Sequence, residues 1–333
     1  MGVSVFFVMS GFLMFRKHEN DEMDLTIKNR AKFSLSRISK LYQLHIITMC
    51  FAVVLEMATR IYSGLTFRGV VYTLGKIVLN VTLMQTWVPY SNINVSLNGV
   101  AWFLSVTMFL YFMFPVIAKW IKTKSEKVLI CISVFVLIVQ ILMCIPFIIL
   151  LGEDSQTYIW FMYCFPIFRL GDFFIGCCLA KCYSCEAENA DREESKVLAS
   201  VIEIAVLIFT VLIIKWIRTE TDNAVLMAMK NWTTLYIPIA VVWILLFSKN
   251  KGILTQMMTT PVFIFLGNIS SYLFLIHYVV IQYAKFGMGI VSFEPHGLVK
   301  YMIILSELIL SVILAMVYKR YKERSYPKAQ LQA

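Results

Sequence analysis

The feature that most constrains this chain is the recurrence of long apolar stretches along nearly all of its 333 residues. A helix needs about 20 apolar residues to cross the roughly 30 Å hydrocarbon core of a bilayer, and these stretches have that length. Hydrophobic residues make up 59% of the chain and charged residues 15%. In soluble domains about half of the residues are apolar and about a quarter are charged. The sequence therefore predicts an all-α, polytopic transmembrane helix bundle of about nine to ten spans.

Hydropathy places the candidate spans along the whole chain. They cover residues 3–15, 41–62, 69–87, 100–121, 128–151, 158–182, 197–217, 232–248, 261–284 and 299–318. The first of these is too short to cross a bilayer without tilting or thinning it. It is not a signal peptide, because Arg16 and Lys17 follow the apolar run instead of preceding it.

The basic residues between the spans predict the orientation, because lysine and arginine in short loops mark the cytoplasmic side. Basic segments lie at 16–40, 119–127, 181–196, 249–251 and 319–324. The segments around 88–99, 152–157 and 285–298 contain few basic residues and are predicted to face outward. The C-terminus is therefore expected in the cytoplasm, and the net charge of +10 indicates attraction to anionic lipid and not to nucleic acid.

One candidate span conflicts with this orientation. Three candidates separate the first two basic segments, and an odd number of crossings would place those segments on opposite sides. The stretch 69–87 contains Lys76 and Asn80 near its middle, where a lysine costs roughly 2.5–3.5 kcal/mol in lipid. We therefore expect 69–87 to be re-entrant, or buried against neighbouring helices.

Most motifs of soluble enzymes are absent from the sequence. It contains no phosphate-binding loop, dinucleotide fingerprint or His-Glu-x-x-His pattern. Cys182 and Cys185 are spaced as in a zinc or redox site, but no second pair follows at the matching distance. The alternative interpretation, which we favour, treats them as small apolar residues.

Ionisable residues inside the predicted spans are costly in lipid and are expected to face the bundle interior or a water-filled cavity. The clearest are Arg169, Asp172, Glu56, His277, Glu203 and Glu307. Arg169 and Asp172 are three residues apart, so they share a helix face, either as a pair that fixes packing or as part of a substrate site. His277 has the same two alternatives, a packing hydrogen bond or proton transfer. Glu56, with Arg60 four residues later, is expected at a helix end.

Five motifs, in order, are similar to those of one family. They are Gly2–Phe12 with Phe6-Phe7 and Ser10-Gly11-Phe12, Arg37–His45, Trp102–Ser105 continuing through Tyr111 to Pro115, Pro166–Gly176, and Leu266–His277. Together they resemble the integral-membrane acyltransferase-3 family, which transfers acyl groups to cell-envelope sugars. The variants present here are similar to those of surface-polysaccharide acetyltransferases in Gram-positive bacteria.

The resemblance implies a single membrane acyltransferase domain over 1–333 that lacks the family's first span. In the family that span carries the histidine taken as the catalytic base, so the resemblance assigns no catalytic residue here. None of the four histidines occupies that position: His18, His45, His277 and His296. Two hypotheses follow, a start that lies further upstream or a truncated and inactive copy.

The implied activity is that of an O-acyltransferase acting on groups other than amino-acyl. The donor would be acyl-coenzyme A, and acetyl-coenzyme A in particular, with no bound cofactor and no metal. The acceptor would be a hydroxyl of a cell-surface polysaccharide or another envelope glycan, and the partners would be membrane lipid and this glycan at the cell membrane. A transporter or flippase of envelope precursors is an alternative, but the paired repeats typical of that class are absent.

The resemblance also suggests site residues. Arg37 and Lys40 match the family's pair of arginines three residues apart and would bind donor phosphates, although lysine lacks the bidentate geometry of arginine. The alternative is that both are positive residues snorkelling at a helix end. The expected pocket residues are Ser10, Trp102, Ser105, Tyr111, Arg169, Asp172 and His277.

Overall fold

The structure, a computed structural model, describes residues 2–152, 154–188, 195–219, 221–230 and 233–325, with the backbone alone for 185–188. Within these ranges the regular structure is helical throughout, and the predicted all-α fold is confirmed. The chain divides into two compact units, which we describe separately. The first comprises Met1–Arg37, Pro89–Ser91 and Val106–Thr260, and the second comprises Ile38–Val88, Asn92–Ser105 and Pro261–Ala333.

The helices follow one another with short connections. In chain order they are α1 Gly2–Lys17, α2 Ile27–Tyr62, α3 Phe67–Val81, α4 Ser91–Asn94, α5 Trp102–Lys122, α6 Glu126–Leu151, α7 Gln156–Tyr163, α8 Pro166–Glu188, α9 Lys196–Ile217, α10 Ala224–Met229, α11 Tyr236–Lys249, α12 Ile253–Met258, α13 Pro261–Ile290 and α14 Gly297–Ser325. A 3-10 turn at Gln85–Trp87 lies between α3 and α4.

Seven apolar stretches among the described residues are long enough to cross a membrane: α2, α5, α6, α7 with α8, α9, α13 and α14. They identify a multi-pass membrane protein. The predicted spans 3–15, 69–87 and 232–248 correspond to α1, α3 and α11, which have 16, 15 and 14 residues. At 1.5 Å per residue these helices are about 21–24 Å long, shorter than the hydrocarbon core.

Helix α2 begins well before the predicted span 41–62, because much of the basic segment is itself helical. Its polar residues at helical spacing make specific contacts with α5. Arg30 Nε donates to the Phe112 carbonyl at 3.1 Å, and Ser34 Oγ donates to the Met108 carbonyl at 2.6 Å. Hydropathy missed this extension because it counts these residues as loop, whereas their donors are satisfied by a neighbouring helix.

In the first unit, α1 and α8 cross with their backbones in close contact. A Cβ atom on Gly11 would overlap the Phe173 carbonyl, and one on Gly176 would overlap the Val8 carbonyl. Small residues at a membrane helix crossing permit such an approach and maximise van der Waals contact. The Ser-Gly-Phe motif of the sequence therefore contributes first to packing.

Glu203 lies in the first unit and is fully buried on α9. Its carboxylate accepts the backbone N–H of Leu254 at 2.7 Å and the hydroxyl of Thr255. A carboxylate at the amino end of a helix satisfies N–H groups that have no partner within the helix. Glu203 is therefore explained by its contacts with α12.

In the second unit, α3 packs against α2 through charged residues. Lys76 Nζ lies 3.0 Å from Glu56 Oε1, and Arg60 Nη2 lies 2.8 Å from the same oxygen. Glu56 thus has the expected partner Arg60 and a second partner in Lys76. Lys76 is 8% exposed, and the buried residues of α3 are Thr73, Lys76 and Asn80. The polar face of α3 is therefore buried, and both alternatives for 69–87 stay predictions.

Candidate functional site

The donor-binding candidate Arg37 is held by a histidine at the end of α1. Arg37 Nη2 lies 2.7 Å from His18 Nε2, and His18 Nδ1 lies 2.6 Å from Asp21 Oδ2. His18 is 7% exposed. These three residues form a linear chain of hydrogen bonds within the first unit.

The chemistry of arginine fixes the direction of these hydrogen bonds. A guanidinium has only N–H donors, so Arg37 must donate and His18 Nε2 must accept. The proton of the neutral imidazole then lies on Nδ1 and is donated to the Asp21 carboxylate. His18 therefore presents its lone pair to Arg37 and is itself oriented by Asp21.

Aromatic rings and a lysine hold this chain of hydrogen bonds in place. The His18 ring makes edge contacts with Phe33 and Phe114 at centroid distances of 5.4 and 5.9 Å. Lys122 Nζ donates to the Asp21 backbone carbonyl at 2.6 Å. The hydrogen bond from His18 lowers the pKa of the Asp21 carboxyl below its ordinary value, with smaller contributions from nearby cations.

Arg37 retains unused hydrogen-bonding capacity. Its guanidinium lies over the Phe33 ring at 5.3 Å, and its Nε is buried with no hydrogen-bond partner among the described residues. In the same part of the chain no carboxylate lies within ion-pair distance of it. A cation with an unsatisfied N–H and no directly paired anion is suited to bind an anionic ligand.

The pair Arg169 and Asp172 forms as its spacing predicts, with Arg169 Nη1 2.9 Å from Asp172 Oδ2, and both side chains are fully buried. The predicted span 158–182 is interrupted at residues 164–165, before Pro166, which has no backbone N–H. This break lets Arg169 Nε donate to the carbonyl of Tyr163, the last residue of α7, at 3.0 Å.

Other helices complete the contacts of this pair. Gln140 Nε2 on α6 donates to Asp172 Oδ1 at 2.8 Å, and Arg169 Nη1 lies 3.3 Å from Ser4 Oγ on α1. Arg169 Nη2 and Gln140 Oε1 are buried with no partner among the described residues. The pair thus connects α1, α6 and α8 inside the first unit.

Two further pocket candidates in the first unit are in contact. Ser10 Oγ lies 3.3 Å from Tyr111 Oη, and the Tyr111 ring lies against Phe173. Both side chains are half-buried. The structure therefore brings the Ser-Gly-Phe motif on α1 together with the tyrosine of α5.

The remaining candidates lie in the second unit. Ser105 is fully buried, donates to the Leu83 carbonyl and lies 2.6 Å from Thr86 Oγ1. Trp102 is buried with its ring edge against Phe103.

Lys40 and His277 also lie in this unit. The side chain of Lys40 is exposed, while its carbonyl accepts a hydrogen bond from Lys322. His277 is half-buried, and its Nδ1 donates to the Leu273 carbonyl one turn earlier on α13 at 3.1 Å. Both hypotheses for His277 therefore stay open, because the second ring nitrogen is not engaged in this bond.

Two histidines that sequence reasoning set aside have the most defined surroundings. One is His18, described above. The other is His45, fully buried in the second unit, whose Nε2 donates to the Asn80 carbonyl at 3.0 Å while Nδ1 has no partner among the described residues. Apolar residues surround His45 in the sequence, so only its contacts in the structure indicate a polar role. The charged residues near His18 in the sequence were a weak indication that it has polar partners.

The structure shows no cluster of three or more metal-ligating side chains within the described ranges. Cys182 is half-buried. The side chain of Cys185 lies outside the described residues, so the two interpretations of this pair are not resolved. The site geometry therefore consists of hydrogen-bonded cations, hydroxyls and imidazoles.

Comparison with known proteins identifies the family. The sequence model of the acyltransferase domain matches residues 1–320, nearly the whole chain. The chain belongs to this family. The match confirms the resemblance that the five motifs indicated, and it includes both units of this acyltransferase-family protein.

A curated relative is the acyltransferase MdmB of Streptomyces mycarofaciens. It is 25% identical over 191 residues, which cover 54% of this chain and 46% of the relative. The aligned part thus spans about half the length of the curated relative. No solved structure matches the chain.

Proposed function

We propose that this protein is a membrane-bound O-acyltransferase that transfers an acyl group, acetyl in particular, from acyl-coenzyme A to a hydroxyl of a cell-surface glycan. The family match supports acyl transfer, and the surroundings of Arg37 support an anionic donor. The observation that carries the proposal is a half-buried cation held by a neutral imidazole, with an Nε–H group that has no partner among the described residues.

The neutral partner matters for donor binding. A carboxylate paired with Arg37 would have to be displaced, at high electrostatic cost, before a phosphate could bind. The imidazole of His18 carries no charge in the geometry described, so an incoming phosphate adds the first directly paired anion. Lys40, three residues later on α2, would add a point charge without bidentate geometry.

The orientation follows from the basic residues. We place Arg37 and the C-terminus on the cytoplasmic side of the cell membrane, where acyl-coenzyme A is available. The hydroxyls of Ser10 and Tyr111 would line the pocket, and a hydroxyl donor near the thioester carbonyl would stabilise the oxyanion that forms during transfer. Trp102, Ser105 and His277 remain pocket candidates.

The test uses the full chain expressed in membrane vesicles that contain the host envelope. Radiolabelled acetyl-coenzyme A is added, and label in the isolated glycan is measured. We expect Arg37→Ala to abolish labelling, and Arg37→Lys to retain a small part of it, because lysine keeps the charge and loses the planar donor geometry.

Lys32→Ala is the matched control, because Lys32 is an exposed cation on the same helix. It should label the glycan as the wild type does. Labelling by Arg37→Ala at the wild-type rate would contradict the role of Arg37. Absence of label with the wild type, under conditions in which the chain is folded, would contradict the proposed activity.

A further inference from the structure

An open apolar groove runs along three helices of the second unit. Its volume is about 920 Å³, and residues of α2, α13 and α14 line it. Along α14 the lining extends from Ile303 to Tyr321, a distance of about 27 Å for a helix with a rise of 1.5 Å per residue. Leu310 and Val317 line the groove and are each about half exposed. The groove is therefore open and long enough for the acyl chain of a membrane lipid.

The groove-lining face of α14 ends on a cation. Leu310, Leu314, Val317 and Tyr321 line the groove at spacings of four, three and four residues, which places them on one helix face. Arg324 follows Tyr321 by three residues and continues the same face. Its side chain is exposed. A guanidinium thus lies just beyond the apolar lining.

A second cation lies at the same end and connects the three helices. Lys322 is 8% exposed. Its Nζ donates to the Lys40 carbonyl on α2 and lies 5.7 Å from the centre of the Tyr272 ring on α13. Lys40 precedes the lining residue Leu44 by about one helical turn. Lys322 is therefore held where the groove ends, and not out in solvent.

No carboxylate neutralises this end among the described residues. Glu323, between the two cations in the sequence, lies 3.9 Å from Lys319 Nζ. Glu307 lines the groove, but it lies 15 residues before Lys322, about 23 Å away along the helix axis. Two cations at the end of an apolar groove are complementary to an anionic group attached to a hydrocarbon chain.

We propose that this groove binds an anionic phospholipid in preference to a zwitterionic one. An acyl chain lies in the groove along α14, and the headgroup phosphate lies beside Lys322 and Arg324. This inference goes beyond the proposed function and does not rest on it, because lipid binding is measured without acyl transfer. Lys40, the donor candidate, is left unchanged in every test variant.

The test is photolabelling of the full chain in phosphatidylcholine vesicles. The probe is phosphatidylglycerol with a diazirine in one acyl chain, and the comparison probe is phosphatidylcholine with the same chain. We expect phosphatidylglycerol to label peptides of α13 and α14 at least about fivefold more, the gain expected from one cation beside an anionic headgroup. Equal labelling by the two probes would mean that ordinary membrane lipid fills the groove, and it would overturn the proposal.

Charge variants locate the headgroup. Arg324→Gln should lower the labelling ratio, and its combination with Lys322→Gln should bring the ratio close to one. Glutamine at position 322 keeps an N–H donor for the Lys40 carbonyl, and Arg324 is exposed, so neither change removes a buried contact. Lys319→Gln is the matched control, because it removes the same charge two residues from Tyr321, on the other side of the helix. A ratio that falls equally in the control would overturn the proposed headgroup site.

A pair of groove-filling variants locates the acyl chain. Leu310 lines the groove, whereas the adjacent Ile309 is not part of its lining, and both are about half exposed on α14. Leu310→Trp should bring the labelling ratio close to one, because the indole occupies the space of the chain, while Ile309→Trp should leave it unchanged. Equal ratios for these two variants would place the lipid elsewhere and overturn the proposal.

Discussion

Two arginines of the first unit, the fully buried Arg169 and the half-buried Arg37, differ in what surrounds them. Arg169 is fully buried, pairs with Asp172 and also contacts a carbonyl and a serine hydroxyl. Arg37 has a neutral imidazole and an aromatic ring as its main contacts. Each has one buried guanidinium nitrogen without a partner among the described residues, Nε of Arg37 and Nη2 of Arg169.

The difference lies in charge neutralisation. The charge of Arg169 is balanced by a carboxylate within the same helix, so an additional anion would bring an unpaired negative charge into the interior. The charge of Arg37 has no directly paired anion in the described part of the chain, so a ligand phosphate would complete its contacts. We therefore propose a packing role for Arg169 and, as above, ligand binding for Arg37.

The largest effect is expected from a substitution that breaks the buried pair of Arg169 and Asp172. Asp172→Ala leaves the Arg169 charge unpaired, and we expect a loss of about 3–5 kcal/mol in the free energy of unfolding. Thermal and denaturant unfolding in detergent measure it, with the exposed carboxylate variant Glu294→Ala as control, which should lie within about 0.5 kcal/mol of wild type. A double variant with leucine at both positions should recover much of the loss. Wild-type stability of Asp172→Ala would contradict the structural role of the pair.

The next effect concerns the crossing of α1 with α8, which holds Ser4 near Arg169. Gly11→Ala places a Cβ against the Phe173 carbonyl, and we expect a loss of about 1–3 kcal/mol from overpacking. Gly267→Ala is the control, because nothing lies within 4 Å of its added Cβ on α13. If the two variants are equally stable in detergent, the close crossing does not exist.

A third prediction sharpens the role of Arg37 through its partner. His18→Leu removes the acceptor that orients the guanidinium, and we expect the KM for acyl-coenzyme A to rise about fivefold, which corresponds to about 1 kcal/mol. His18→Gln keeps an acceptor oxygen and should show a smaller rise, with similar kcat for both variants. A fall in kcat at unchanged KM would show that His18 does not act through Arg37.

The smallest effect is a pH dependence at Asp21. Because its pKa in the folded protein lies below the ordinary value of 3.8, its stabilising contribution is present above that value and is lost as the pH falls through the lowered pKa. The thermal midpoint of the wild type should exceed that of Asp21→Asn at about pH 6, and this difference should shrink as the pH falls further below 3.8. A difference that does not shrink would contradict this assignment.

The sequence predicted the helical membrane fold well, because apolar length and composition determine which segments enter lipid. It predicted the start of α2 poorly, since hydropathy cannot register that Arg30 and Ser34 donate to carbonyls of α5. The same limit applies to Lys76, whose cost in lipid is offset by Glu56 on another helix. Pairing between distant segments is not encoded in the local pattern.

In the candidate site, too, contacts within one helix could be predicted from the sequence, and contacts between distant segments could not. The spacing of Arg169 and Asp172 predicted their contact, because both lie on one turn of a helix. The contacts of Arg37 with His18 and of His45 with Asn80 join residues 19 and 35 positions apart. These contacts depend on how the helices pack, and a single sequence gives no measure of that.

The account depends most on Arg37 as the binding site of an anionic donor, and equilibrium titration of coenzyme A into the purified full chain tests this most directly. Losing a charge-assisted hydrogen bond costs about 1.5–3 kcal/mol, so Arg37→Ala should raise the Kd at least about tenfold. Lys32→Ala, the exposed cation variant on the same helix, should bind as the wild type does. Equal affinity of the wild type and Arg37→Ala for coenzyme A would contradict the account.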